Sequence, residues 1–240
     1  MKIIIAEDYI DMSAKAAQVI IEEVAKNPQA ILGLATGSTP IGLYKNLIAA
    51  YTSGAISFSK VTAVNLDEYI GLDGTHDQSY RYFMNDQLFN HIDIDKSRTY
   101  VPSGVGDDLQ KNATEYTALL SKYVQDIQLL GLGGNGHIGF NEPATPFNST
   151  THIVNLKQDT LEANARFFTS VEEVPTKAIT MGIQNVMNAK KILLVASGAG
   201  KAEAVKAMVQ GSVTESCPAS ILQQHADVTI VVDKEAASLL

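Results

Sequence analysis

The chain contains no tryptophan, one cysteine (Cys217) and no apolar run near the about 20 residues that a membrane helix needs. A single cysteine can form neither an internal disulfide nor a thiolate metal cluster, so a reducing cytoplasm is the expected compartment. The opening MKIIIAEDYI reaches Glu7 and Asp8 directly after a short apolar run, a pattern that a secretory leader does not carry. Basic residues are scarce. Lys and Arg number 18 against 26 Asp and Glu, for a net charge of −8 and a pI near 5.1. That balance disfavours nucleic acid and anionic membranes as partners. It leaves room for a small anionic ligand, which needs only a few local cations. Repeats, low-complexity tracts and Pro/Ser/Gly linkers are also missing, so residues 1–240 are read as one domain. What is present is apolar material: 45% hydrophobic against 18% charged residues, enough for a substantial core and too much for disorder.

Strand-like and helix-like stretches alternate along the chain. Residues 2–6, 30–35, 61–66, 127–132, 191–196 and 228–232 read as strands that are apolar throughout. Strands of that kind are covered on both faces, which predicts an α/β fold with a mainly parallel sheet between helix layers. Between them, Ile10, Ala14, Ala17, Ile21 and Val24 predict one buried helix face, and Asn27-Pro28 its end. Residues 40–51 predict a second helix with proline in its first turn. Further helices are marked by Phe83, Met84 and Leu88, by Leu109 to Tyr123, and by Ala202, Val205 and Val209. Residues 133–151, GGNGHIGFNEPATPFNSTT, have little regular pattern, and a segment of that length inside a compact domain is usually functional.

Ligands of open parallel sheets bind at the carboxyl ends of the strands, so the residues following each strand are the candidates. Thr36-Gly37-Ser38-Thr39-Pro40 offers a flexible backbone, hydroxyls and a helix N-terminus, which suits an anion; an ordinary capping turn reads equally well. Ser197-Gly198-Ala199-Gly200-Lys201 repeats the arrangement with a point charge, against the alternative of a solvated lysine. Asp67 and Glu68 follow a buried strand. A carboxylate there is desolvated and suited to taking a proton from carbon beside a carbonyl or imine, and Asp67 is the expected base; a structural Asp is the alternative. His137 stands among glycines, with Asn135 and Glu142 near enough in sequence to fix its tautomer. His76, His91, His152 and His225 have no such company and read as surface or structural. No zinc spacing, Gly-x-Ser-x-Gly elbow or convincing dinucleotide fingerprint occurs.

Three segments together resemble the glucosamine-6-phosphate deaminase family: LGLATGSTPIGLYKNL at 32–47, VNLDEYIGL at 64–72 and GLGGNGHIGFNEP at 131–143. SYRYFM at 79–84, ANARFF at 163–168 and SGAGKAEAV at 197–205 support them in family order, so the resemblance spans nearly the whole chain. It implies a Rossmann-like three-layer α/β/α fold and conversion of D-glucosamine 6-phosphate and water to D-fructose 6-phosphate and ammonia. By the resemblance, His137 opens the sugar ring, supported by Glu142 and Asn135, and Asp67 moves the C2 proton to C1. Thr36, Gly37, Ser38 and Thr39, with Arg166 and Lys201, match the phosphate-binding positions, and Tyr80 falls on the family's lid. No metal or organic cofactor is implied.

Two departures carry consequences. Longer, regulated members carry Asp where this chain has Asn135, and an amide cannot stabilise imidazolium by charge. The regulated members also carry basic residues at the positions of His152 and Val154 and a C-terminal extension. Activation by N-acetylglucosamine 6-phosphate is therefore not expected, and a monomer is favoured over a homo-oligomer. The rivals are a 6-phosphogluconolactonase, a galactosamine-6-phosphate deaminase and, from another class, a non-catalytic sugar-phosphate sensor. Retention of both Asp67 and His137 argues against the last.

Overall fold

The computed structural model describes residues 1–156 and 173–240; Arg166 and the ANARFF segment lie outside the described residues. The chain runs β1 (Lys2–Ala6), α1 (Tyr9–Lys26), β2 (Ile31–Leu34), α2 (Ile41–Thr52), β3 (Thr62–Asn65) and β4 (Asp67–Tyr69). Then follow α3 (Tyr80–Gln87), β5 (Thr99–Tyr100), α4 (Leu109–Lys122), β6 (Ile127–Gly131) and β7 (His152–Asn155). The last elements are β8 (Lys177–Thr180), α5 (Ile183–Met187), β9 (Ile192–Ala196), α6 (Ala202–Gln210) and β10 (Val228–Asp233).

Seven strands form a sheet in the order β1-β10-β9-β6-β2-β3-β5, every pair parallel. Strands β9 and β10 are buried along their whole length, as continuous apolar runs in a doubly covered sheet require. The fold class read from the sequence is the one observed. A second sheet, β4-β8-β7, is short and antiparallel. It was not expected, because its strands are three or four residues long and carry polar residues such as Asp67 and Glu68.

Helix α1 begins at Asp8, whose carboxylate accepts from the Asp11 N–H, and ends at Asn27 before Pro28. Its buried face differs from the expected one. Ile10 is 75% exposed and Ala14 is also exposed; Met12, Ser13, Ala16, Ala17, Ile20 and Val24 are buried instead. The helix carries small and apolar residues on two neighbouring stripes that share Ala17 and Val24, and docking on the sheet selects the one headed by Met12.

The order of the strands fixes where a ligand can sit. From β2 the chain builds outward through β3 to β5, then returns to place β6 on the other side of β2 and builds outward again through β9 and β10. The reversal lies between β2 and β6. Connections leaving neighbouring strands there diverge to opposite faces, opening a crevice at their carboxyl ends.

Candidate active site

Four loops leave that edge side by side: 197–201 after β9, 133–137 after β6, 36–40 after β2, and the turn from β3 into β4 that carries Asp67. Gly134 confirms the adjacency of the first two, since a Cβ built on it would lie 3.8 Å from the Gly200 carbonyl oxygen.

Asp67 follows β3 directly, as the sequence had suggested, and opens a further strand, β4, opposite Thr180 of β8. It is 6% exposed. Burial, reinforced by the neighbouring charge of Glu68, pushes its carboxyl up to about 8 from an ordinary value of 3.8. A carboxyl of that kind gives up its proton near neutrality, where a base for a carbon acid works best. Glu68 is also buried, and its three bonds are to backbone: Oε1 accepts from Tyr69 N (2.8 Å) and Tyr80 N (2.8 Å), and Oε2 from Arg81 N (3.0 Å).

His137 is held by a short polar chain. Its backbone N–H donates to Asn135 Oδ1 (3.1 Å), and its Nδ1 lies 2.7 Å from the same oxygen. Asn135 Nδ2 donates to Glu142 Oε2 at 2.8 Å, and Glu142 Oε1 stands 3.5 Å from Nδ1. The amide is thereby oriented by both neighbours: its oxygen must face N–H donors and its nitrogen the carboxylate. A proton on Nδ1 satisfies the oxygen, which makes Nε2 the lone-pair nitrogen of the neutral ring. Gly133 packs directly against this ring, and a Cβ there would lie 2.2 Å from His137 Cε1.

The histidine loop and the base are tied to the same strand. Phe140 N donates to Thr180 Oγ1 (3.1 Å), the residue paired with Asp67, and Asn141 Nδ2 donates to the next carbonyl, Met181 O (2.8 Å). Gly139 has a left-handed φ of +56° and passes so close that a Cβ would lie 3.6 Å from Asp67 Oδ2. Aromatic contacts close the group. Tyr80 packs on Tyr69 with ring centres 4.7 Å apart, and lies nearly parallel to Phe140 at 6.2 Å. The Tyr80 hydroxyl lies near Tyr69 and Thr36 of the β2 loop, and burial raises its proton affinity. Tyr80 thus packs on the base strand and the histidine loop and lies near the phosphate-type loop.

The Gly37 backbone is left-handed, and no atom lies within 4 Å of the place a Cβ would take, so this turn is open on that side. Ser38 and Thr39 share the wall of an open pocket of about 610 Å³ with Ser197 of the neighbouring loop. Lys201 ends the turn before α6, and its burial lowers its proton affinity. Asp233 fixes this loop by accepting from Ser197 Oγ and Gly198 N. Among the described residues, no group of three His, Cys, Asp or Glu is placed to hold a metal ion.

The structure therefore brings together Asp67, Tyr80 and the Asn135, His137 and Glu142 loop, and sets Thr36 and Lys201 on the neighbouring loops. Glu68, Phe140, Asn141 and Thr180 as supports were not foreseen. Phe140 and Asn141 lie within the recognised GLGGNGHIGFNEP segment, whereas nothing about Thr180 in the sequence marks it.

A doubly wound α/β protein with a buried carboxyl and a polarised imidazole at its switch point is, in class, an acid–base catalyst for a small ligand. Comparison with known proteins narrows this. Residues 6–231 match the family described as glucosamine-6-phosphate isomerases/6-phosphogluconolactonase. The chain belongs to that family. A glucosamine-6-phosphate deaminase of Clostridium perfringens is 54% identical over the whole of both chains, and one of Thermoanaerobacter pseudethanolicus is 52% identical over all of this chain and 95% of its own. A solved monomeric glucosamine-6-phosphate deaminase superposes with a TM-score of 0.97 at 48% identity, each chain fully covered. The 6-phosphogluconolactonase of Trypanosoma brucei shares the fold, with a TM-score of 0.81 at 18% identity over all of this chain and 98% of its own.

Proposed function

We propose that this protein converts D-glucosamine 6-phosphate and water to D-fructose 6-phosphate and ammonia. The observation that carries the reading is the tie of both Asp67 and the His137–Asn135–Glu142 loop to Thr180, with Tyr80 packed between that loop and the base strand. The two deaminases that share half their residues with this chain support the substrate. His137 Nε2 takes the anomeric hydroxyl proton and returns one to the ring oxygen, opening the ring. Asp67 removes the proton from C2 and delivers it to C1 while a proton passes from the amino nitrogen to O1, so that C2 becomes an imine and C1 a hydroxymethyl group. No electrons leave the sugar. Water adds to the C2 imine and ammonia departs.

The phosphate lies between the Gly37–Thr39 backbone and Lys201, where helix N-termini and a lysine favour an anion. Arg166 is assigned to the same phosphate on the family resemblance, since a guanidinium fork suits it. The protein is proposed to act as a monomer, supported by the monomeric deaminase of the same fold and length, and in the cytoplasm.

The test is an assay of ammonia and fructose 6-phosphate from glucosamine 6-phosphate, with Asp67→Asn and His137→Gln in parallel. Wild-type turnover and inactive variants are expected. A wild-type chain that binds the sugar but releases no ammonia overturns the reading in favour of a sensor.

A further inference from the structure

The carboxylate of Glu68, beside Asp67, joins the base strand to the start of a helix. It lies in the middle of β4, the strand that Asp67 opens, so successive side chains put the two carboxyls on opposite sides of the strand. Its oxygens take the N–H groups of Tyr80 and Arg81, the first two residues of α3, while Ser79 Oγ and Ser79 O take those of Tyr82 and Phe83. All four donors of the first turn are thereby satisfied, two of them by a negative charge at the positive end of the helix. Glu68 also accepts from Tyr69 N within its own strand, which fixes the carboxylate to the backbone next to the base. From Tyr80 the contacts continue to Phe140, in the loop of His137.

We infer that Glu68 is a positioning residue: it clamps the start of α3 to the base strand, and through Tyr80 holds Asp67 in register with the His137 loop. This rests on the proposed deaminase reaction. The charge of Glu68 adds to the burial that keeps a proton on Asp67. The other titratable groups set around these two carboxyls are Tyr69 on the same strand, Tyr80 and Arg81 on α3 and Tyr116 on α4. Of these, Arg81 is turned to Thr99, bonding its Oγ1 at 2.7 Å and its carbonyl at 2.8 Å.

The test compares Glu68→Gln, Glu68→Asp and Ser79→Ala in kcat, KM, pH–rate profile and thermal melting. An amide at 68 loses the charge and turns a donor toward an N–H. Glu68→Gln is expected to lower kcat at least about tenfold with a smaller change in KM, and to move the acid limb of the profile to lower pH. Glu68→Asp keeps the charge with a shorter reach, so kcat falls while the acid limb stays. Ser79→Ala removes a cap from the same helix and is expected to lower melting with kcat and profile unmoved. A Glu68→Gln protein with wild-type kcat and acid limb overturns the inference, as does a Ser79→Ala protein that matches it in both. If Glu68→Gln does not fold, wild-type kcat in Glu68→Asp overturns it and a lowered kcat sustains it. Wild-type protein that yields no ammonia instead removes the reaction itself, which separates the two failures.

Discussion

Replacing Asp67 by asparagine tests the burial of the base through stability as well as rate. In the folded protein the carboxyl holds its proton up to about 8, against an ordinary 3.8 that also describes the unfolded chain. The folded state therefore binds more protons than the unfolded one between these values. The wild-type contribution is fully present below 3.8 and is lost as pH rises toward 8, because the slope of stability follows the difference in bound protons. At 1.36 kcal/mol per tenfold change in proton affinity, the full loss is about 6 kcal/mol. Water entry and relaxation around the site reduce that figure, so several kcal/mol is the expected size. Asparagine is nearly isosteric and does not titrate. Denaturant unfolding of both proteins from pH 4 to pH 9 should thus show no difference at the acid end and an increasing advantage for Asp67→Asn toward pH 8. Other carboxyls titrate in both proteins and cancel in the difference. In the same variant kcat should fall on the order of 10³-fold, the size of a lost general base. A stability difference that is flat with pH, or that favours the wild type at pH 8, refutes the burial argument.

Gly133→Ala places a methyl group 2.2 Å from the His137 ring and should lower kcat about 100-fold by displacing it, in a protein that still melts cooperatively; an unchanged kcat contradicts the packing described. Asn135→Asp replaces the amide donor to Glu142, now at 2.8 Å, by a second carboxylate, so one of the pair must hold a proton. Turnover should survive with a displaced pH–rate profile, and a profile identical to the wild type counts against the assigned role of Asn135. Velocity should depend hyperbolically on glucosamine 6-phosphate with no response to N-acetylglucosamine 6-phosphate; sigmoidal kinetics relieved by that sugar would show that a regulatory site is present.

The central sheet was legible because each of its long strands is an unbroken apolar run, and the parallel arrangement followed from that. The site was legible at the ends of those strands, where Thr36, His137 and Lys201 interrupt the apolar pattern with small, polar or basic residues. Asp67 was found by the same rule although the structure puts it on a further strand: DEY is too short and too polar to show a strand period. What the sequence did not reveal is how the parts are joined. Thr180 serves Asp67 by strand pairing and Phe140 by its hydroxyl, a link across about 40 residues that no local pattern encodes. The three backbone bonds of Glu68 are hidden for the same reason, since two reach α3 a dozen or more positions away. The mistaken face of α1 came from neighbouring stripes of comparable periodicity, between which only docking decides.

The most direct measurement of the account is the structure of the Asp67→Asn protein with glucosamine 6-phosphate, since loss of the base should trap the sugar unreacted. The phosphate should lie within the Gly37–Thr39 turn and near Lys201, with C2 facing residue 67 across van der Waals distance and the ring oxygen within hydrogen-bond reach of His137 Nε2. A sugar bound with C2 turned away from residue 67, or a phosphate seated outside the two loops, contradicts it.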